Sequence, residues 1–276
     1  RVGRLLAAGS LGAGTVLLIA DLGRPERFLN MLRLFKPRSA MSVGSWGLAA
    51  YGAVTGLAAA TQIAEDVTGR RMDRAGRALH LAGLPLALFV GAYTGTLLSS
   101  TATPAWAARA GTLAPLFLFA GASNGLAAVS LALEATGAGS DAARRRLARA
   151  EIAALTGEWI LLALDRARAN RLPSVSAASR RSRRALALTA LAGVALPLAL
   201  QVDNARKPER KRRLFSRSKE RRPNRSILAA GLALAGGLAL RYLVTREGYR
   251  SAATPADTWT HATEPRLIPS EATDAR

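Results

Sequence analysis

Seven stretches of this chain run for the thickness of a membrane with very few Asp, Glu, Lys or Arg residues: 5–22, 41–64, 79–100, 112–133, 147–164, 185–202 and 227–244. Each holds about 18 to 24 residues, and a helix of that length crosses a hydrocarbon core of roughly 30 Å. Charges collect between the stretches. A soluble helical bundle would instead spread them along one face of each helix. The expected fold is therefore all-α, a polytopic membrane helical bundle with seven transmembrane helices. Stretch 147–164 is the weakest, because it carries Arg149, Glu151 and Glu158. The bundle is expected over residues 1–245. Residues 246–276, rich in Pro, Thr and Ala, read as a polar, disordered tail.

What the sequence lacks narrows the chemistry. There is no cysteine, and the two histidines are His80 and His261. Thiolate-bound clusters, thioether-linked haem and disulfides all require cysteine, and a two-haem cytochrome b anchor requires paired axial histidines. No haem or iron–sulfur cluster is therefore expected in this chain. The formal net charge is +21, and the densest basic run is 206–225. That run lies between two spans and holds one aromatic, Phe215, so it suits anionic lipid heads better than nucleic acid. The same run places its face of the bundle in the cytoplasm by the positive-inside bias.

Within the stretches, three glycine pairs at one-turn spacing, Gly52/Gly56, Gly91/Gly95 and Gly121/Gly125, predict close packing of the second to fourth helices. Polar residues are few. Tyr93, Thr96 and Ser100 share one helix face, with Tyr93 about mid-stretch. Glu158 is an ionisable group inside a span and a functional candidate by default. A transporter would show more buried charge and matched broken helices, whereas Pro85 and Pro197 do not occupy corresponding positions. A proton pump needs a chain of buried acids, and Glu158 with Glu134 is too short a chain.

The connector DLGRPERFLNMLRLFKPRSAMSVGSW, beginning at Asp21, stands out for its charge. Gly23 ends the first helix and Pro25 prevents its continuation. Phe28, Met31, Leu32 and Phe35 recur at helical spacing, as in a short helix lying in the interface, and Trp46 suits an interfacial aromatic. The connector is thus expected to form an ordered cap, suited to a partner docking surface or the roof of a cavity.

This connector closely resembles that of the NrfD/PsrC family, the membrane subunits of polysulfide-reductase-like molybdoenzyme complexes. LPLALFVGAYTGTLLSSTATPAW, beginning at Leu84, resembles the family helix that carries Tyr-Thr-Gly and a Leu-Leu-Ser run. The resemblance extends, more weakly, from Arg1 to about Val244. The family has eight helices, so the late start of this chain implies that the first family helix precedes Arg1. The resemblance implies a quinone-reactive anchor in the cell membrane. Its partners would be an iron–sulfur electron-transfer subunit and a molybdopterin catalytic subunit, and its cofactor a menaquinone- or ubiquinone-type carrier. On that reading Tyr93 donates a hydrogen bond to a quinone carbonyl, Asp21 exchanges protons, and Arg24 holds the charge and position of Asp21. The alternatives are a salt-bridged cap for Asp21 and Arg24 and an interhelical hydrogen bond for Tyr93.

Overall fold

The computed structural model describes residues 2–70, 72–137, 140–169, 180–206 and 225–254, and no strand occurs among them. The long helices are α1 (Val2–Asp21), α2 (Ala40–Thr68), α3 (Asp73–Ser99), α5 (Leu113–Thr136) and α6 (Asp141–Ala169). A one-turn helix α4 (Pro104–Ala107) lies between α3 and α5. Helix α7 is continuous through Arg180–Ala190, a π segment Leu191–Ala195 and Leu196–Arg206, and α8 is Arg225–Ala252. Successive long helices run antiparallel. One end of the bundle gathers Asp21, the connector, the start of α2 and the loop around α4. The opposite end gathers the α2–α3 and α5–α6 turns.

Local chemistry explains the breaks. Gly23 takes φ +66° after α1, and Gly137 takes φ +63° after α5, a left-handed conformation that closes a helix at little cost to glycine. Pro25 then opens a 3-10 helix, Pro25–Leu32. The expected interfacial helix is therefore a tighter and earlier turn, and it packs on α1 and α2. In α7, Pro197 has no N–H for the carbonyl of Gly193, and the π segment lies just ahead of it.

Helix α5 is the hub and packs against α1, α3, α6 and α8. The buried apolar cluster includes Leu113, Leu116 and Phe117 of α5, Leu155 and Leu162 of α6, Val194 of α7, and Leu240 and Val244 of α8. The core therefore lies mainly in the later helices, whereas the glycine pairs pointed to the second to fourth. Only Gly91 and Gly95 behave as expected, meeting Leu118 and the Leu113–Ala114 backbone of α5, and nothing approaches Gly56 or Gly125. Gly193 of α7 and Gly236 of α8 also bring two backbones together, each leaving no room for a Cβ on the other.

Among the described residues, five helices are long and apolar enough to cross a membrane: Val2–Asp21, Arg74–Ser99, Leu113–Thr136, Arg183–Ala205 and Arg225–Ala252. The count of seven spans is not upheld. Helices α2 and α6, at 29 residues each, are long enough. However, α2 is rich in Gly, Ser and Thr, and α6 carries internal charges. Helix α1 buries no residue, yet Val16 and Leu17 are 66% and 70% exposed on it. An apolar helix this bare is stable where hydrocarbon takes the place of water. Helix α8 runs past the expected end of the bundle to Ala252, while residues 255–276 and nearly all of the basic run 206–225 lie outside the described residues.

Candidate functional site

At the connector end, Tyr93 of α3 donates from its hydroxyl to the Ala40 carbonyl at 2.9 Å. The Tyr93 ring stacks on Phe89, with centroids 5.7 Å apart and an interplanar angle of 30°. Both rings lie over glycines of α2, Tyr93 over Gly44 and Phe89 over Gly47, where a Cβ would collide with them. Tyr93 is therefore nearer the bundle end than its mid-stretch position suggested, and the interhelical hydrogen bond is present. The connector folds back onto α2: Ser42 donates to the Leu34 carbonyl at 3.3 Å and accepts from the Lys36 N–H at 3.0 Å. Phe35 packs edge-on to Trp46 at 6.1 Å. Asp21 and Arg24 are both exposed at this end, and no ion pair joins them among the described residues. The bundle thus brings Asp21, Arg24 and Tyr93 to one end without joining the three in one network.

A second polar group, only partly foreseen, lies inside the bundle. Glu151, Glu158 and Asp165 recur every seven residues on α6 and are 0%, 2% and 6% exposed. Leu155 and Leu162 sit between them, giving alternate steps of four and three residues. This is the heptad seam of a packed helix, with an acid in every second core position. Each acid meets a hydroxyl of α5 or its cap. Ser130 Oγ is 3.3 Å from Glu151 Oε2, Ser123 Oγ is 2.6 Å from Glu158 Oε2, and Thr112 donates to Asp165 Oδ1 at 2.9 Å.

Other elements complete the seam. Gln201 of α7 donates to Glu151 Oε2 at 2.9 Å. Arg241 of α8 reaches α5 beside Gly121, and its guanidinium lies 5.7 Å from the centroid of Phe117. Arg109, in the loop after α4, pairs with Asp165 at 3.5 Å and with Glu247 of α8 at 2.9 Å. At the opposite end Arg144 pairs with Glu134 at 2.6 Å and donates to the Leu133 carbonyl at 3.1 Å. From Arg144 to Asp165 the helical rise is about 32 Å, close to the thickness of a hydrocarbon core.

Sequence reasoning isolated Glu158 and Glu134. Glu151 counted as a charge against 147–164 as a span, and Asp165 lies just past the end of that stretch. The signal for them was present in the 4-3 spacing from Glu151 to Asp165.

The α4 loop is itself fixed. Trp106 donates from Nε1 to the Val244 carbonyl at 2.9 Å, and the Ala105 N–H donates to Ser251 Oγ at 3.2 Å. Among the described residues, no three His, Cys, Asp or Glu side chains are grouped to hold a metal ion.

Long apolar helices facing outward, with carboxylates and guanidiniums folded inward, define an integral membrane protein of the helical-bundle class. The chain matches the family model described as polysulphide reductase, NrfD, over residues 1–253, and it belongs to the NrfD family. No curated protein and no solved structure matches it.

Proposed function

We propose that this protein is a quinone-reactive anchor subunit of the cell membrane. It would pass electrons between an iron–sulfur partner, itself bound to a molybdopterin catalytic subunit, and the quinone pool. The observation that carries the reading is the NrfD match over nearly the whole chain, on a bundle whose ordered connector and Tyr93 share one end. The side chains there suit a flat, carbonyl-bearing ring. Tyr93 offers a phenolic donor at the bundle margin, and Phe89 and Tyr93 offer aromatic faces. Leu34 and Phe35 offer exposed apolar surface at 64% and 57%. A quinone, when bound, supplies two-electron chemistry that takes up or releases two protons at its oxygens. Tyr93 would exchange its Ala40 partner for a carbonyl oxygen and orient it. Asp21, exposed at the end of α1, would trade protons with solvent, and Arg24 would hold its negative charge in place.

A purely structural anchor is the second reading, and the Tyr93–Ala40 hydrogen bond favours it. Tyr93→Phe separates the two, since it keeps the ring over Gly44 and removes the hydroxyl. The quinone reading expects a lower rate, or a raised KM, for electron transfer from the assembled complex to a quinone analogue, with partner activity toward a soluble dye unchanged. The structural reading expects normal quinone kinetics with a stability loss of about 1 kcal/mol from the lost hydrogen bond. Unaltered quinone kinetics in the assembled complex would remove Tyr93 from the site.

A further inference from the structure

The last turns of α8, at the connector end of the bundle, have two unlike faces. The inner face is locked to the α4 loop. Gly248 lies against the Trp106 ring, Trp106 donates to the Val244 carbonyl, and Ser251 accepts from the Ala105 N–H. Glu247 is turned the same way and pairs with Arg109 at 2.9 Å. The outer face is an exposed lane through Leu228, Ala235, Leu238, Tyr242, Arg246 and Tyr249. Steps of three, four and seven residues keep all six on one side of the helix.

The chemistry of the lane changes once along its length. It is apolar as far as Leu238. One turn later Tyr242 begins an aromatic and cationic section, close to Val244, the end of the apolar stretch 227–244. That is the level at which a span leaves the hydrocarbon for the headgroups. There the helix surface holds a groove of about 420 Å³, lined by Tyr242, Thr245, Arg246, Tyr249, Arg250 and Ala253. Its walls are held in place. The Arg246 guanidinium lies 5.9 Å from the centroid of the Tyr242 ring. The Tyr249 ring meets Trp106 edge-on, with centroids 6.0 Å apart. The charge of the groove is positive, because Glu247, the acid next to Arg246 in sequence, is engaged inward with Arg109.

We propose that this groove binds the phosphate of an anionic phospholipid in the leaflet at the connector end. Arg246 and Arg250 supply positive charge and N–H donors to the phosphate oxygens. Tyr242 and Tyr249 present ring faces to the glycerol region and hydroxyls to the water side. One acyl chain lies along Leu238, Ala235 and Leu228. An acidic segment of a partner protein would match the two arginines, but not the apolar lane that continues below them. A lipid matches both, in the order in which they occur. The site is independent of the quinone reading, because it uses none of Asp21, Arg24 or Tyr93.

The test uses the full chain, purified in detergent and titrated with phosphatidylglycerol or with phosphatidylcholine of the same acyl chains. Native mass spectrometry counts the lipids retained. The basic run 206–225 is present in every variant, so any lipid it holds cancels in the comparison. At matched lipid concentration the wild type is expected to keep one phosphatidylglycerol more than Arg246→Gln/Arg250→Gln, and to show no such difference with phosphatidylcholine. Glycerol 3-phosphate, a headgroup without chains, should not displace that lipid even in large excess. Arg246→Gln alone, a milder change on an exposed side chain, should also lose it and decides the matter if the double variant fails to fold. Equal retention of phosphatidylglycerol by the wild type and a folded variant overturns the proposal. An equal difference with phosphatidylcholine overturns the role of charge, and with it the proposal. Displacement by glycerol 3-phosphate would mark a site for free phosphate and also overturn it. Equal lipid retention combined with loss of the assembled complex in the variant would assign the groove to a partner protein instead. The titration contains no quinone and no partner, so its failure leaves the proposed function standing.

Discussion

Arg109 shows how closely single residues are balanced here. It is 7% exposed and is the shared cation of Asp165 and Glu247. Arg109→Ala leaves two carboxylates facing each other without it, and removing one partner of a buried ion pair costs about 3–5 kcal/mol. A fall of that size in the unfolding free energy of the purified chain is expected in detergent. Arg109→Lys should recover only part, since a point charge cannot serve two carboxylates through a planar fork. Tyr93 was legible from sequence because a phenol about mid-stretch in an apolar helix has to find a partner. Its partner was not legible, because Ala40 contributes a carbonyl from a different helix and nothing in its side chain marks it. Asp21 and Arg24 were legible as residues of a helix end, and the exposure of both follows from Gly23 and Pro25 directing the chain outward. Nothing in the sequence distance between them determines whether they pair.

At the scale of helices, the apolar stretches were readable because lipid imposes a length and a composition on a span. The packing partners were harder to read, because glycine pairs are common in a chain holding 25 glycines. Gly91 and Gly95 meet α5, but an equally close crossing uses single glycines, Gly193 and Gly236, on two different helices. A lone glycine carries no spacing pattern to detect. Gly236→Leu is therefore expected to separate α7 from α8. Limited proteolysis of the purified variant should show faster cleavage near α7 than in the wild type, while Gly56→Leu, with nothing near it, should be cleaved like the wild type. Helix α6 was the element most easily misjudged. Its acids look disqualifying when counted, and become a core seam only when their phase against Leu155 and Leu162 is followed. The π segment of α7 belongs to the same group of features: Pro197 announces a broken hydrogen bond, but not that the helix will continue through it.

For the whole molecule, the alternating helices place the connector at one end and Arg206 and Arg225, which flank the basic run, at the other. The positive-inside bias predicts that this run faces the cytoplasm. In intact cells, Asn30→Cys on the exposed connector should react with a membrane-impermeant maleimide, and Ser216→Cys should react only after the membrane is opened. The reverse pattern would invert the bundle. The polar seam of α6 also bears on how the protein is made. Ionised side chains near the centre of a span cost about 2.5–3.5 kcal/mol each during insertion, and α6 carries Glu151, Glu158 and Asp165. Emerging alone from the ribosome, it would be rejected by the bilayer. The preceding helix α5 is apolar enough to enter unaided and brings Ser123 and Ser130 with it. Biosynthesis should therefore stall α6 at the translocon until α5 is there to receive it, so that the two enter the bilayer as a hairpin.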